Sequence, residues 1–111
     1  MNTKKEIRNI IAEHSAELKK GTMGYKSCRR NIYLTDKDYV RVYIFGTRIE
    51  LSLSLYKREN FCMFYQSGSI NDLDGVWRRF RNAFKKSVAE EEEYGDDKAF
   101  AARLKEVYSL L

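Results

Sequence analysis

Six carboxylates stand within eight positions near the C-terminal end of the chain, in the stretch EEEEYGDD. They belong to Glu90–Glu93, Asp96 and Asp97. Clustered carboxylates can hold a hard cation such as Mg²⁺ or Ca²⁺, or they can accept paired hydrogen bonds from arginine as phosphates do. The spacing does not match the EF-hand loop, so we expect no metal here. A solvated helix end is the alternative interpretation of the same run.

A basic run, RRFRNAFKK, lies just before the acids, so the sign of the charge reverses along this part of the chain. The net charge of the chain is +5; residues 1–48 hold 11 Lys/Arg and 5 Asp/Glu, whereas residues 49–111 hold 10 and 11. A positive excess suits nucleic acid or an acidic partner. The cations that could contact nucleic acid are Lys4, Lys5, Arg8, Arg78, Arg79, Arg81, Lys85 and Lys86.

Residue types that support catalysis are scarce. The chain has one histidine, His14, and two cysteines, Cys28 and Cys62, in no CxxC arrangement. His14 lies on an apolar helical stripe, so we predict a packed, hydrogen-bonded histidine at the edge of the core. Neither the phosphate-binding loop nor the dinucleotide fingerprint occurs. We therefore predict a protein that is not an enzyme and that needs no cofactor or metal.

The elements that position these residues follow from hydrophobic periodicity. We predict a first helix to about Lys20, with Thr3 as N-cap, Glu6 completing a capping box and Gly21 ending the helix. Residues 21–37 begin as a loop. Alternation from Cys28 to Leu34 leaves open a short edge strand there.

Three further segments predict an antiparallel meander. Tyr39–Phe45 is rich in β-branched and aromatic residues, and the turn Gly46-Thr47 follows it. Residues 49–55 alternate with period two, so one face is buried and the other is wet. A second reversal at 57–60 leads to a strand over 61–66. The wet face is expected to carry Arg41, Glu50, Ser52 and Ser54.

Two helices are predicted to cover the apolar face of this sheet. After a loop at 67–69, Ser69 or Asn71 caps a helix. Its aromatic ridge consists of Leu73, Val76, Trp77, Phe80, Phe84 and Val88. Gly95 ends this helix, and Asp96 or Asp97 caps the last one. The prediction is a single α+β domain over residues 1–111, with the order α-β-β-β-α-α, a small antiparallel meander covered by helices. The opening residues show no secretory signal and no apolar run is long enough to span a membrane, so we expect a cytoplasmic protein.

The α-β-β-β-α order resembles the double-stranded-RNA-binding domain. In that family a lysine cluster on the last helix contacts the phosphates of the duplex. The stretch RRFRNAFKK occupies the corresponding helix. This resemblance implies a small basic nucleic-acid-binding domain.

The tail of the chain resembles a family of small prophage-encoded anti-CRISPR proteins that inhibit the type II-A CRISPR nuclease. The matching pattern is F-x-x-A-F-K, then E-Y-x-D-x-x-x-F, with about two extra residues between the halves. The matching residues are Phe80, Ala83, Phe84, Lys85, Glu93, Tyr94, Asp96 and Phe100. The resemblance implies a DNA mimic, in which acids beside the E-Y pair enter the arginine-rich pocket that reads the short DNA motif next to the target.

From these patterns we expect a phage or mobile-element inhibitor that binds a host CRISPR effector nuclease, either alone or together with its guide RNA. The residues expected to bind the partner are Glu93, Tyr94, Asp96 and Asp97. The alternative is nucleic-acid binding through the eight cations named above. The oligomeric state is left open, because Tyr43 and Tyr56 on the wet sheet face could equally serve a homodimer.

Overall fold

The computed structural model describes residues 2–20, 27–56 and 65–111. Its elements are α1 (Thr3–Lys19), β1 (Ser27–Tyr33), β2 (Tyr39–Phe45), β3 (Arg48–Ser54), β4 (Gln66–Ser69), a 3₁₀ turn (Ile70–Asp72), α2 (Leu73–Tyr94) and α3 (Lys98–Ser109). The predicted α+β class and the order of helices and strands are confirmed. None of the helices in these ranges is long and apolar enough to cross a membrane.

The strands form one antiparallel sheet in the order β1-β2-β3-β4. The edge strand that the sequence left open is present as β1. The prediction of a strand over 61–66 falls mostly outside the described residues, and only Gln66 of that segment belongs to β4. The predicted loop at 67–69 is wrong, because these residues pair with β3 in β4.

A close approach of helix to strand explains why small residues form β4. A Cβ added to Gly68 would lie 2.6 Å from Cγ2 of Val76 on α2. The side chain of Arg79 donates a hydrogen bond to the Ser67 carbonyl at 3.1 Å. Serine and glycine are poor strand formers by propensity, but here the ladder and the helix above it decide the conformation.

The turn between β2 and β3 consists of two residues, because Phe45 is opposite Arg48 in the sheet. Gly46 has φ of +59°, the left-handed region that two-residue hairpins require at this position. His14 of α1 is buried, and its Nε2 lies 2.8 Å from the Gly46 carbonyl oxygen. The prediction for His14 as a packed, hydrogen-bonded residue is confirmed.

The helix caps differ from the predicted ones in two places. Asn2, not Thr3, caps α1: its side chain accepts a hydrogen bond from the Lys5 backbone N–H at 3.0 Å. Thr3 is fully buried inside the helix, so the capping box with Glu6 does not form. The predicted end at Gly21 lies outside the described residues.

At the second helix, Ser69 caps the 3₁₀ turn, because its Oγ accepts a hydrogen bond from the Asn71 backbone N–H at 3.1 Å. Asp72, rather than Asn71, then caps α2. Several residues near each start have side chains capable of capping, and the fold selects among them.

The core lies between one face of the sheet and the helices. The predicted ridge on α2 is buried throughout, and Phe80 packs against Trp77 and Phe84 with ring centroids 5.8 and 6.4 Å apart. Phe84 meets Tyr108 of α3 edge to face at 5.1 Å. Burying rings of this size contributes several kcal/mol by the usual ~25 cal/mol per Å².

A buried carboxylate attaches α3 to one end of the sheet. Asp38, in the connection between β1 and β2, accepts hydrogen bonds from the Arg103 guanidinium at 2.6 Å and the Tyr56 backbone N–H at 3.0 Å. The Thr35 hydroxyl donates to its other oxygen at 2.8 Å. Because these partners satisfy the buried charge, the contact fixes the position of α3.

Candidate functional site

The acids lie where α2 ends and α3 begins; we call Glu90–Asp97 the acidic junction. The backbone turns at Gly95, which is extended (φ −71°, ψ 141°) and donates its N–H to the Glu91 carbonyl at 3.0 Å. The last turn of α2 contains no basic residue. Acids at a helix C-terminus oppose the helix dipole, so this arrangement costs stability rather than adding it.

All four residues predicted to bind a partner are exposed at this junction. Tyr94 is 76% exposed, more than any other large hydrophobic side chain in the described ranges. Glu93 and Asp96 flank it and are exposed. Within the described part of the chain, neither carboxylate forms a salt bridge. The structure thus presents an aromatic ring between two available carboxylates.

Three other acids of the junction, Asp97, Glu92 and Glu90, have partners within the protein. Asp97 caps α3, accepting a hydrogen bond from the Phe100 backbone N–H at 3.0 Å. Glu92 lies 3.3 Å from the Lys105 ammonium of α3, and Glu90 lies 3.9 Å from that of Lys86. These two pairs are exposed, and exposed ion pairs contribute little to stability.

Four of the eight candidate cations line one shallow cavity of about 410 Å³, which we call the basic groove. It lies among α1, α2 and α3, and its cations are Lys4, Arg78, Arg81 and Lys85. The Arg81 guanidinium lies 5.7 Å from the Tyr108 ring centroid. Such a cation–π contact helps to hold the guanidinium in place, where it can contact an anion.

One acid, Asp74, lies in the basic groove. Its carboxylate is 2.6 Å from the Lys4 ammonium. The hydrogen bond and positive charge of Lys4 hold the pKa of Asp74 below its ordinary value. Asp74 also stands in the first turn of α2, where a negative charge is favourable.

The other four candidate cations do not join this groove. Arg79 turns toward β4, and Lys86 lies near the acidic junction. Lys5 and Arg8 are exposed on α1, with Arg8 beside a separate cavity of about 230 Å³. The helical spacing therefore gathers only half of the predicted nucleic-acid-binding set into one site.

A further cavity of about 440 Å³ lies between α1 and β1, lined in part by His14 and Cys28. Nδ1 of His14 is buried without a hydrogen-bond partner among the described atoms. In the described ranges, no three His, Cys, Asp or Glu residues come close enough to hold a metal ion.

Sequence reasoning noted Tyr43 and Tyr56 on the wet sheet face but missed the other aromatic residues there. Tyr33, Tyr39, Tyr43 and Phe45 are on the side of the sheet opposite the helices, beside the predicted Arg41. The alternation along residues 39–45 could have revealed these aromatic residues, because every second residue there points away from the core.

Comparisons with protein-family models, with curated proteins and with solved structures find no match to this chain.

Proposed function

We propose that this protein is a non-catalytic binding protein that inserts its acidic junction into an arginine-lined nucleic-acid groove of another protein. The observation that supports this most directly is the placement of Tyr94, 76% exposed and flanked by Glu93 and Asp96. Exposed tyrosine is enriched among residues that dominate binding energy. Carboxylates accept the same paired hydrogen bonds from arginine that phosphates accept.

The energetics of α2 also favour a binding role for these acids. Consecutive glutamates at a helix C-terminus repel one another and oppose the helix dipole. Residues that lower the stability of the fold, at positions where other residues would not, are typical of a functional site. The acids would regain favourable interactions when arginines of a partner surround them.

The particular partner that we propose is a host CRISPR effector nuclease, which makes the protein a phage or mobile-element inhibitor acting in the host cytoplasm. The tail pattern ending in E-Y-x-D supports this, because it resembles anti-CRISPR inhibitors of the type II-A enzyme. In that enzyme, arginines read the short DNA motif beside the target. Carboxylates at Glu93 and Asp96 would occupy those arginines and exclude the DNA.

Charge reversal at the junction tests this proposal. We expect the wild-type protein to block DNA cleavage by a guide-loaded type II-A nuclease and to co-elute with it. The double variant Glu93→Lys/Asp96→Lys should lose both properties, because two carboxylates become cations facing arginines. Tyr94→Ala should weaken inhibition by about tenfold or more. Asp97 is left unchanged because it caps α3.

The matched control is Glu13→Lys, which reverses an exposed acid on α1, away from the junction. It should inhibit as the wild type does. Full inhibition by the double junction variant, or no inhibition by the wild type, would contradict the proposal. Circular dichroism of each variant checks that the domain remains folded.

The second candidate function is binding of duplex nucleic acid through the basic groove. The convergence of Lys4, Arg78, Arg81 and Lys85 around one cavity favours it. A gel shift with duplex RNA and duplex DNA should then show affinity that falls steeply with salt. Arg78→Gln/Lys85→Gln should weaken that binding, whereas Glu93→Lys should not. No shift at micromolar protein would exclude this candidate.

A further inference from the structure

The face of the sheet opposite the helices forms a second distinctive surface, which we call the open sheet face. The register arranges its side chains in rows across β1, β2 and β3. One row is Arg29, Tyr43 and Glu50, and the next is Asn31, Arg41 and Ser52. Successive rows stand about 6.7 Å apart along the strands. Rings and guanidinium groups therefore alternate across this face of the sheet.

Exposed aromatic rings are concentrated on this face. Tyr33 is 50% exposed and Phe45 is 45% exposed, at opposite ends of the β1–β2 pair. Tyr43 lies between them along β2 and is half-buried. Large exposed rings grouped on one face of a small domain mark an interaction site.

Cations lie against several of these rings. The Arg29 guanidinium is 5.2 Å from the Tyr43 ring centroid, and that of Arg41 is 5.8 Å from the Tyr39 centroid. Arg41 also donates a hydrogen bond to the Tyr39 hydroxyl at 3.1 Å. These contacts hold the planar cations in place before any ligand arrives.

Two shallow cavities lie on this face. The first, about 220 Å³, is lined by Tyr43, Phe45, Arg48 and Glu50. The second, about 340 Å³, is lined by Lys37, Tyr39, Arg41, Ser54, Leu55 and Tyr56. Tyr39 and Tyr43 are four residues apart, or about 13 Å along the strand. Each cavity is lined by at least one aromatic side chain and at least one cationic group. A polar strip that includes Ser52 connects the two cavities.

The charge of the face selects among possible occupants. Its strand positions carry three arginines, Arg29, Arg41 and Arg48, and one acid, Glu50. Glu50 already accepts a hydrogen bond from the Tyr65 hydroxyl at 2.5 Å. A second copy of the chain would bring arginines against arginines, and like charges across an interface repel. A polyanion with flat rings matches both the charge and the aromatic surface.

We propose that the open sheet face binds single-stranded nucleic acid. Bases stack on the exposed rings and on the guanidinium planes, and Arg29, Arg41 and Arg48 contact phosphates. The serine hydroxyls and the Asn31 amide lie between the rings. There they form hydrogen bonds with sugar hydroxyls or base edges. This surface is separate from the acidic junction and from the basic groove, so the inference does not rest on either proposed function.

The test is fluorescence anisotropy of a labelled single-stranded RNA about 12 nucleotides long, and of the same sequence as DNA. The wild type should bind at micromolar concentration or better at low salt. Tyr33→Ser and Phe45→Ser should each weaken binding about 5- to 100-fold, because each removes one stacking ring. Tyr33→Phe keeps the ring and should bind as the wild type does.

Two further variants test whether binding occurs on the open sheet face or in the basic groove. Arg29→Gln keeps every ring, and it should lower the slope of log affinity against log salt by about one. Lys85→Gln, in the basic groove, should change single-strand affinity less than about twofold.

The proposal fails if neither oligonucleotide binds, if the serine variants bind as the wild type does, or if Lys85→Gln removes binding instead. It also fails if sedimentation shows a dimer that Tyr33→Ser and Phe45→Ser disrupt. Circular dichroism and thermal unfolding of each variant verify the fold.

Discussion

The acidic junction and the open sheet face differ in sign of charge and in how the chain builds them. The junction consists of residues adjacent in sequence, and its exposure results from the helix break at Gly95. The sheet face takes its side chains from separate strands, joined only through register. Glutamates crowd the junction, whereas the sheet face holds three arginines near exposed rings.

This difference indicates how each surface responds to change. The junction is local, so altering one acid affects charge there without disturbing distant residues. The sheet face depends on the pairing of three strands, so a change at a turn can displace several of its side chains together. The contact between Asp38 and Arg103 links the two regions, because it fastens α3 to the end of the sheet.

The largest expected effect comes from removing that link. Asp38→Ala leaves the Arg103 guanidinium and the Tyr56 N–H without their buried partner. We expect a loss of about 3 kcal/mol in the free energy of unfolding, because deleting the buried carboxylate leaves a half-buried guanidinium and a backbone N–H without their acceptor. Thermal denaturation should show a midpoint lower by about 10 °C or more.

The matched control for that prediction is Asp36→Ala, which removes an exposed acid from the same connection. Its unfolding free energy should change by less than about 0.5 kcal/mol. Similar losses in both variants would mean that the Asp38 contact does not hold α3 in place.

A smaller effect, confined to the sheet, is expected at its hairpin turn. Gly46→Ala should lower the unfolding free energy by about 1 kcal/mol, because φ of +59° disfavours any residue with a Cβ. Apart from the chain neighbours of Gly46, no atom in the described ranges lies within 4 Å of the added Cβ, so the cost is conformational rather than steric. Chemical denaturation measures it, with Thr47→Ala as the neighbouring control.

The smallest expected effects compare the two ends of α2. Glu93→Gln should raise the unfolding free energy by about 0.3 kcal/mol at low salt, because it removes a charge that opposes the helix dipole. Asp74→Asn should lower the unfolding temperature, because it removes a favourable charge and the pair with Lys4. Both differences should shrink at high salt.

The Asp74 effect should also depend on pH. Its pKa in the folded protein lies below the ordinary value, mainly through the hydrogen bond from Lys4. The stabilisation is therefore present above the ordinary carboxylate pKa and is lost as the pH falls through the folded value. Unfolding temperatures of wild type and Asp74→Asn should converge in acid. A constant difference at every pH would contradict this assignment.

Much of the fold was predictable because periodicity reports directly on burial. Alternation from residue 49 to 55 defined a strand, and the ridge from Leu73 to Val88 defined the buried face of α2. The caps were less predictable, since Asn2 and Thr3 have similar capping ability and only packing buries Thr3. β4 was missed because its residues have little intrinsic strand preference.

The candidate site, like the fold, was predictable only in part. The sequence alone shows that an acidic run follows a basic run along α2. The sequence offered Asp96 and Asp97 equally as the cap of the last helix. Asp97 is the cap, and Glu93 and Asp96 remain available, because of where the backbone turns.

The sequence by itself determined the apolar faces of the helices and strands, the break at Gly95 and the reversal of charge along α2. Only the tertiary structure decided which cations converge, which acids have partners within the protein, and that tyrosines and arginines of three strands share one face of the sheet. The physical reason is that helical spacing and strand alternation are local, whereas strand register and helix packing depend on contacts between residues far apart in the chain.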